Sequence, residues 1–507
     1  METDLELKAY EFAMKIDDAI IRDDLATLRN LTSFMEDEIE KFTLLQRIKL
    51  YYSLAVAYRR LAQKIEPTNI NTDCVDSQIS CLKFYKDEIC MEKCLFSYRK
   101  SMLCISKVDS NTSREETKKI DNIKHIVYTQ YANLLDDLGR TSLALENYAK
   151  VLDLNPKCAW SIMEIGICLN KYGTMMGIEN NCGCYIIYIG LTYLLRALTI
   201  EGIDKLTVKD IEQCIEFINR YYPKEIKDIF KNDDYRIQLE EILSNKPIYN
   251  NQEEEKYRAW TFENKLFLDP LNDLPKSSEI LSNDQINLPR ILVSPELHNM
   301  HSQIKQEFIF ARYLYYEALQ NVEETHFADR YTKNINISEN LLFSIRIEKM
   351  KTALRILYAL LDKIAFFLNN YFELNMKSRS INFKSIWEIQ DSKTKLKPNE
   401  KKLNPQINYY INAIYWALKD MSKSLFYNSE STLLEIFEID VLRNALEHRH
   451  VVVSNGTYKV TNQEKTFHIS EEELRKNTLE MFKYIREIII NLNLSVYEEE
   501  RKKYNKE

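Results

Sequence analysis

The chain is poor in the residues that break helices, with only 8 glycines and 10 prolines among 507 residues. Hairpin-rich β architecture needs such residues at every turn, so the scarcity excludes it for most of the chain and implies an α-dominated fold. Cysteine is confined as well: all ten cysteines lie between Cys74 and Cys214. No basic-then-apolar leader accompanies them, since the chain opens Met1-Glu2-Thr3-Asp4-Leu5-Glu6. A secreted disulfide scaffold is therefore not expected. Long apolar runs are missing too. The longest, Tyr185 to Leu195, stops at Arg196 and is too short to span a bilayer. There is no Gly-x-x-x-x-Gly-Lys loop to cradle a phosphate, which disfavours ATP hydrolysis. Together these absences point to a soluble, cytoplasmic, all-α protein with no membrane partner.

What the chain does have is apolar material, 45% of its residues, enough to build cores; its length calls for two or three domains. The net charge of −7 argues against nucleic acid, but the charge is unevenly spread. From Arg290 to the end there are 32 basic and 29 acidic residues, a net of +3, so residues 1–289 carry −10. Any contact with RNA would fall to the C-terminal half.

The N-terminal half repeats itself. Tyr128, Tyr131-Ala132, Leu135 and Gly139 are followed by Ala144, Tyr148, Val151 and Pro156. Apolar residues three and four apart make one buried stripe, small alanines sit where two helices approach, and Gly139 occupies the turn between them. The order resembles a tetratricopeptide repeat of about 34 residues. A second copy begins with Ile162, Ile165-Gly166, Leu169 and Gly173, and resumes at Gly190, Leu194 and Ala197 after an insertion containing Cys182-Gly183-Cys184. An upstream copy has Leu54-Ala55 and Tyr58, then Cys94, Tyr98 and Ser101. The tyrosines belong to the packing period and are expected in the core. Cys90 and Cys94, like Cys182 and Cys184, lack a second His/Cys pair at zinc spacing, so no metal site is expected. Stacked helix pairs present a concave surface, and its expected partner is a protein or peptide trigger.

We divide the chain into a repeat module over 1–215, a connector over 216–295 and a helical domain over 296–507. The connector gathers Pro247, Pro270, Pro275, Pro289 and Pro295, together with the charge clusters Asp233-Asp234 and Glu253-Glu254-Glu255. It also contains Tyr257, Trp260 and the phrase Leu266-Phe267-Leu268-Asp269-Pro270-Leu271-Asn272-Asp273-Leu274. A solvated linker has no use for that much apolar surface, so this segment is expected to dock on a domain face.

Three long helical patterns then cover 296–320, 344–374 and about 407–425, and a closing helix covers 471–494 ahead of a charged tail expected to fray. A polar loop between the second and third carries Lys393, Lys395, Lys397, Lys401 and Lys402. Between the third helix and the closing one lies Asp440-Val441-Leu442-Arg443-Asn444-Ala445-Leu446-Glu447-His448-Arg449-His450. Wound at about 100° per residue from Arg443, the segment places Glu447, Asp440, Asn444 and His448 between about 40° and 140°. Ala445, Leu442 and Leu446 fall on the opposite arc. One polar face thus carries Arg, Asn and His, with an apolar stripe behind it. Val451-Val452-Val453, Asn455-Gly456 and Tyr458-Lys459-Val460 predict a small β-hairpin beyond the helix. His448 then lies near a helix carboxyl end, where the dipole favours imidazolium. His298 and His301, three apart on the first helix, are read as a solvated face. Glu307 and Asp362 are weighed as groups that orient Arg443, and His450 as an aid to His448.

A helical bundle with Arg443-Asn444-x-x-x-His448 on one helix resembles the HEPN superfamily, and the Trp- and Leu-rich connector resembles the stretch ahead of that domain in a bacterial family that joins it to such repeats. The resemblance implies a homodimer with two facing copies of the motif, and RNA as substrate. It implies a metal-independent and cofactor-independent endoribonuclease that leaves 2′,3′-cyclic phosphate and 5′-hydroxyl ends. His448 would move the protons, Arg443 would stabilise phosphate charge and Asn444 would orient the pair. Positioned imidazole catalysis supplies about 10²–10⁴-fold. With the repeats as sensor, the implied role is that of a toxin-like or antiphage defence effector. Two other readings remain. One is a non-catalytic adaptor whose bundle only dimerises or binds nucleotide; the other is a nucleotide-binding accessory of a nucleotidyltransferase.

Overall fold

Side-chain caps start helices where the sequence offers them. In the computed structural model Asp24 accepts from Thr27 N, Thr43 and Gln46 form a capping box, and Asp87 accepts from Cys90 N. Ser294 and Ser344 likewise accept from Leu297 N and Ile347 N. Each cap satisfies a donor that the first turn leaves open and contributes about 1 kcal/mol. The structure describes residues 2–65, 84–85, 87–108, 114–175, 181–221, 249–274, 283–289, 293–320, 325–331, 341–387, 401–421, 442, 445–447, 450–456 and 466–504. It separates into two units, Met1–Gln238 and Leu239–Glu507. Its class is all-helical with a small β element. Among the described residues no helix is long and apolar enough to cross a membrane.

The first unit is a row of helices: α1 (Glu2–Ile21), α2 (Leu25–Glu38), α3 (Leu44–Leu61), α4 (Glu88–Ser106), α5 (Arg114–Asp137), α6 (Thr141–Leu154), α7 (Ala159–Met175), α8 (Asn181–Leu198) and α9 (Lys205–Tyr221). The two-residue strands β1 (Lys64–Ile65) and β2 (Phe84–Tyr85) pair antiparallel between α3 and α4. Helices pack in successive pairs, α3 on α4, α5 on α6 and α7 on α8. The periodic residues of each pair are inside: Leu54, Ala55, Tyr58, Cys94 and Tyr98; then Tyr131, Ala132, Leu135, Ala144, Tyr148 and Val151; then Ile162, Ile165, Leu169, Leu194 and Ala197. Gly139, at φ +84°, makes the turn between α5 and α6, a conformation that costs a residue with Cβ. Gly166 and Gly190 allow the close approach of α7 and α8, since a Cβ on Gly166 would lie 2.9 Å from the Gly190 carbonyl oxygen. Two neighbouring aspartates bind the pairs to one another. Asp137 holds Arg59 and accepts from the Tyr85 hydroxyl, while Asp136 pairs with Lys171 at 2.7 Å.

The second unit comprises α10 (Gln252–Glu263), α11 (Pro295–Leu319), α12 (Ile345–Tyr371), α13 (Tyr409–Met421) and α14 (Glu471–Tyr504), with the strands β3 (Leu341–Leu342), β4 (His450–Ser454) and β5 (Thr466–Ser470). α11 packs on α12, and α14 contacts α11, α12 and α13. Met481, Phe482, Ile485, Ile488 and Ile489 are fully buried on α14, each worth about 1.5–3 kcal/mol of burial.

The β element differs from the expected hairpin. β4 sits mid-sheet, antiparallel to β3 and parallel to β5, with Val451 facing Phe467 and Val453 facing Ile469. Thr466–Ser470 buries Phe467 and Ile469 on alternate positions, the period a half-buried strand requires. It also delivers Ser470 to cap α14 in a box with Glu473. Residues 458–460, where the hairpin's return strand was expected, lie outside the described residues.

The closing helix is longer than its apolar pattern suggested, reaching Tyr504. Polar contacts hold its end: Glu498 accepts from Tyr409 N and pairs with Lys502, and the Tyr371 hydroxyl donates to Glu500 at 2.6 Å.

Two buried arginines fasten the Trp- and Leu-rich segment to the bundle. Arg312 of α11, 1% exposed, donates to the Tyr257 hydroxyl, the Leu266 carbonyl and both oxygens of Asp284. Its guanidinium lies over the rings of Tyr257, Phe267 and Phe308. Arg486 of α14 donates to the carbonyls of Phe267 and Asp269 and to Asp273 at 2.6 Å. Leu266, Phe267, Leu268, Leu271 and Leu274 are all buried.

Candidate active site

The motif segment is helical at residues 442 and 445–447. Leu442, Ala445 and Leu446 are buried, at 0%, 2% and 5% exposure, and Glu447 is exposed. The apolar arc of the helical wheel therefore faces the core, and Glu447, from the polar arc, faces solvent. Arg443, Asn444 and His448 lie outside the described residues.

α12 positions this segment from behind, through two cations that sequence reasoning did not single out. Arg355 donates from Nε and Nη2 to the Leu446 carbonyl oxygen, at 3.3 and 3.2 Å. That carbonyl is in the last turn of the motif helix, where acceptors lack intrahelical partners. One turn earlier, Lys351 donates to the Val451 carbonyl oxygen at 3.0 Å and pairs with Glu348 at 2.7 Å. The segment and the strand after it are thus laid along α12 in the opposite direction, with 446 beside 355, 451 beside 351, and 453 beside β3. The only sequence signal for Arg355 and Lys351 was two cations one turn apart among the buried Ala353, Leu354 and Leu357. Arg355 also brings a positive charge to the carbonyl end, which opposes the dipole's preference for a nearby imidazolium.

His301 is 2% exposed rather than solvated, with its ring 6.4 Å from that of Phe367. Burial, then the charges of Lys305 and His298, pushes its imidazole down to about 3. Among the described residues neither its Nε2 nor that of His298 has a hydrogen-bond partner. Glu307 pairs with Lys363 and accepts from Gln303, and Asp362 accepts from Phe383 N at 3.1 Å. His450 is exposed at the first position of β4, in register with Thr466. Of the lysine loop, Lys402 is a structural clip to the Ser385 carbonyl, and Lys393, Lys395 and Lys397 lie outside the described residues. In the docked segment, burial raises the Asp269 carboxyl to about 7, against the backbone donors Leu271 N and Asn283 N that favour its charged form. No group of three or more His, Cys, Asp or Glu is placed to hold a metal among the described residues, and Cys90, Cys94, Cys104, Cys158, Cys168 and Cys214 are free thiols.

Residues 291–499 match the family described as LA2681-like HEPN. The match lies within the second unit and contains the whole motif segment. Neither the curated proteins nor the solved structures gave a match to the chain.

Proposed function

We propose that the C-terminal domain is a metal-independent endoribonuclease whose catalytic groups are Arg443, Asn444 and His448, acting in a homodimer. The observation that carries the reading is the HEPN match over 291–499, which takes in Arg443-Asn444-x-x-x-His448. The buried backing of Leu442, Ala445 and Leu446 supports it, because a helix anchored on that arc leaves the opposite arc for substrate. In this reading His448 takes the proton from a ribose 2′-hydroxyl, and the resulting alkoxide attacks the adjacent phosphorus. The bond to the 5′-oxygen breaks, and that oxygen leaves as a hydroxyl once protonated, the proton coming in this reading from His448 of the second protomer. Arg443 neutralises the charge that builds on the phosphate, where fixed cations count most. The nucleophile belongs to the RNA itself, so the reaction needs no metal-activated water.

The helix pairs of the first unit, with their small residues at the points of closest approach, support a tetratricopeptide-like sensor that binds a protein or peptide trigger. A sensor joined to a nuclease suits a cytoplasmic defence or toxin-like effector. Purified full-length protein incubated with RNA in EDTA tests the nuclease: wild type cuts, and Arg443→Ala and His448→Ala do not. Cutting that survives in either variant refutes the assignment.

A further inference from the structure

Between α11 and α12 the chain displays aromatic rings to solvent that the fold does not use. Phe327 is 71% exposed, Tyr331 93% and Phe343 48%. The His326 ring lies 4.3 Å from Phe327 at an interplanar angle of 33°, and Arg330 is exposed beside them. The turn that carries these side chains is built. Asp329 N donates to the His326 carbonyl at 2.9 Å, Ala328 N donates to His326 Nδ1 at 3.2 Å, and Asp329 Oδ2 accepts from Ile345 N at 2.9 Å. That last bond ties the turn to the first residue of α12. The same helix holds the motif segment at Arg355, ten residues and about 15 Å further along its axis. β3, which follows the aromatic turn, pairs with β4, which follows the motif.

We propose that His326, Phe327, Arg330 and Tyr331 form a stacking platform for single-stranded RNA that leads the strand along α12 to the motif helix. The proposal rests on the ribonuclease reading for its ligand and adds the substrate class. Flat rings interleaved with a guanidinium suit the faces of unpaired bases, which a duplex keeps stacked and inaccessible. Among the described residues 325–331 the exposed side chains are rings, one arginine and small or polar groups, with no long aliphatic chain.

The test uses full-length protein and two fluorescent probes with 2′-O-methyl sugars, which cannot be cut: a mixed-sequence single strand and a hairpin duplex. The double variant Phe327→Ala/Tyr331→Ala should bind the single strand about 10–100-fold more weakly, the loss expected for removing base–aromatic stacking. Phe327→Tyr/Tyr331→Phe, which keeps both rings, should bind like wild type, and duplex binding should not change. Single-strand binding by the alanine variant equal to that of wild type overturns the platform, as does a loss confined to a protein partner or to self-association. Cleavage of ordinary RNA in EDTA is scored separately. Wild type that cuts, alongside an alanine variant that binds normally, overturns the platform alone. Ring-dependent binding without any cutting overturns the nuclease alone.

Discussion

Asp273→Ala removes the partner of a guanidinium that has almost no access to water. Both side chains of the Arg486–Asp273 pair are 4% exposed and their atoms are 2.6 Å apart. Truncating one member of such a pair costs about 3–5 kcal/mol, because the remaining charge stays buried without compensation. Arg486 keeps the carbonyls of Phe267 and Asp269, which places the expected cost toward the lower end of that range. For a unit of this size each kcal/mol lowers the melting temperature by about 2–4 °C, so a fall of at least about 6 °C is expected. The assay is thermal and urea unfolding of the full-length chain followed by intrinsic tryptophan fluorescence, to which the second unit contributes Trp260, Trp387 and Trp416 and the first unit Trp160. Asp273→Asn keeps an acceptor and should cost less. Asp273→Ala/Arg486→Met should cost less than the sum of its single changes, since no charge is left stranded. A loss below about 1 kcal/mol for Asp273→Ala, within the range of a surface pair, would refute the claim that this contact fastens the segment to the bundle.

Four further outcomes follow from the same geometry. A chain starting at residue 249 should give a folded, cooperatively melting C-terminal unit. One starting at 291 should aggregate, because Arg312 and Arg486 lose their acceptors in 257–284; size-exclusion chromatography and calorimetry distinguish the two. Asp269, raised from 3.8 to about 7 by burial, binds its proton more tightly when folded. Its contribution to stability is therefore complete below about pH 4 and lost as pH rises through about 7, and urea titrations across that range should flatten in Asp269→Asn. His301, lowered from 6.5 to about 3, acts in the opposite sense, its contribution present above pH 6.5 and lost as pH falls toward 3. His301→Leu should reduce that acid sensitivity. Arg355→Gln takes a cation from the carbonyl end of the motif helix, so the imidazole-controlled limb of the pH–rate profile should move to higher pH and kcat should fall. Arg355→Lys should restore the limb, and an unmoved profile would show that Arg355 has no electrostatic part.

How far the fold could be read in advance depends on whether its cause is local. The helices that begin near 296 and 344 were visible because an amphipathic run is a short-range signal, whereas their serine caps were found only in the structure. Gly139, Gly166 and Gly190 were visible because small residues recur at the packing period. The partner of β4 was not, since Asn455-Gly456 is a strong turn signal while the burial of Phe467 and Ile469 is decided by the bundle. The held end of α14 escaped for the same reason: Glu498, Glu500 and Lys502 look like a solvated charge run until Tyr371 and Tyr409 are placed against them. Arg312 and Arg486 stand among core residues of their helices, which was a usable anomaly, but their acceptors lie 28 to 219 residues away in sequence. Of the candidate site, the buried arc of the motif helix was legible from the wheel alone. Arg355 and Lys351 were not, because each acts on a backbone carbonyl, and a carbonyl leaves no mark on residue type.

The central claim is transesterification carried out by the Arg443-Asn444-x-x-x-His448 segment, and the chemistry of the cut ends tests it most directly. RNA fragments made by wild-type protein in EDTA should carry 2′,3′-cyclic phosphates and 5′-hydroxyls, and fragments should be missing with His448→Ala. Fragments ending in 3′-hydroxyl and 5′-phosphate, or the same cyclic ends from the His448→Ala protein, would contradict it.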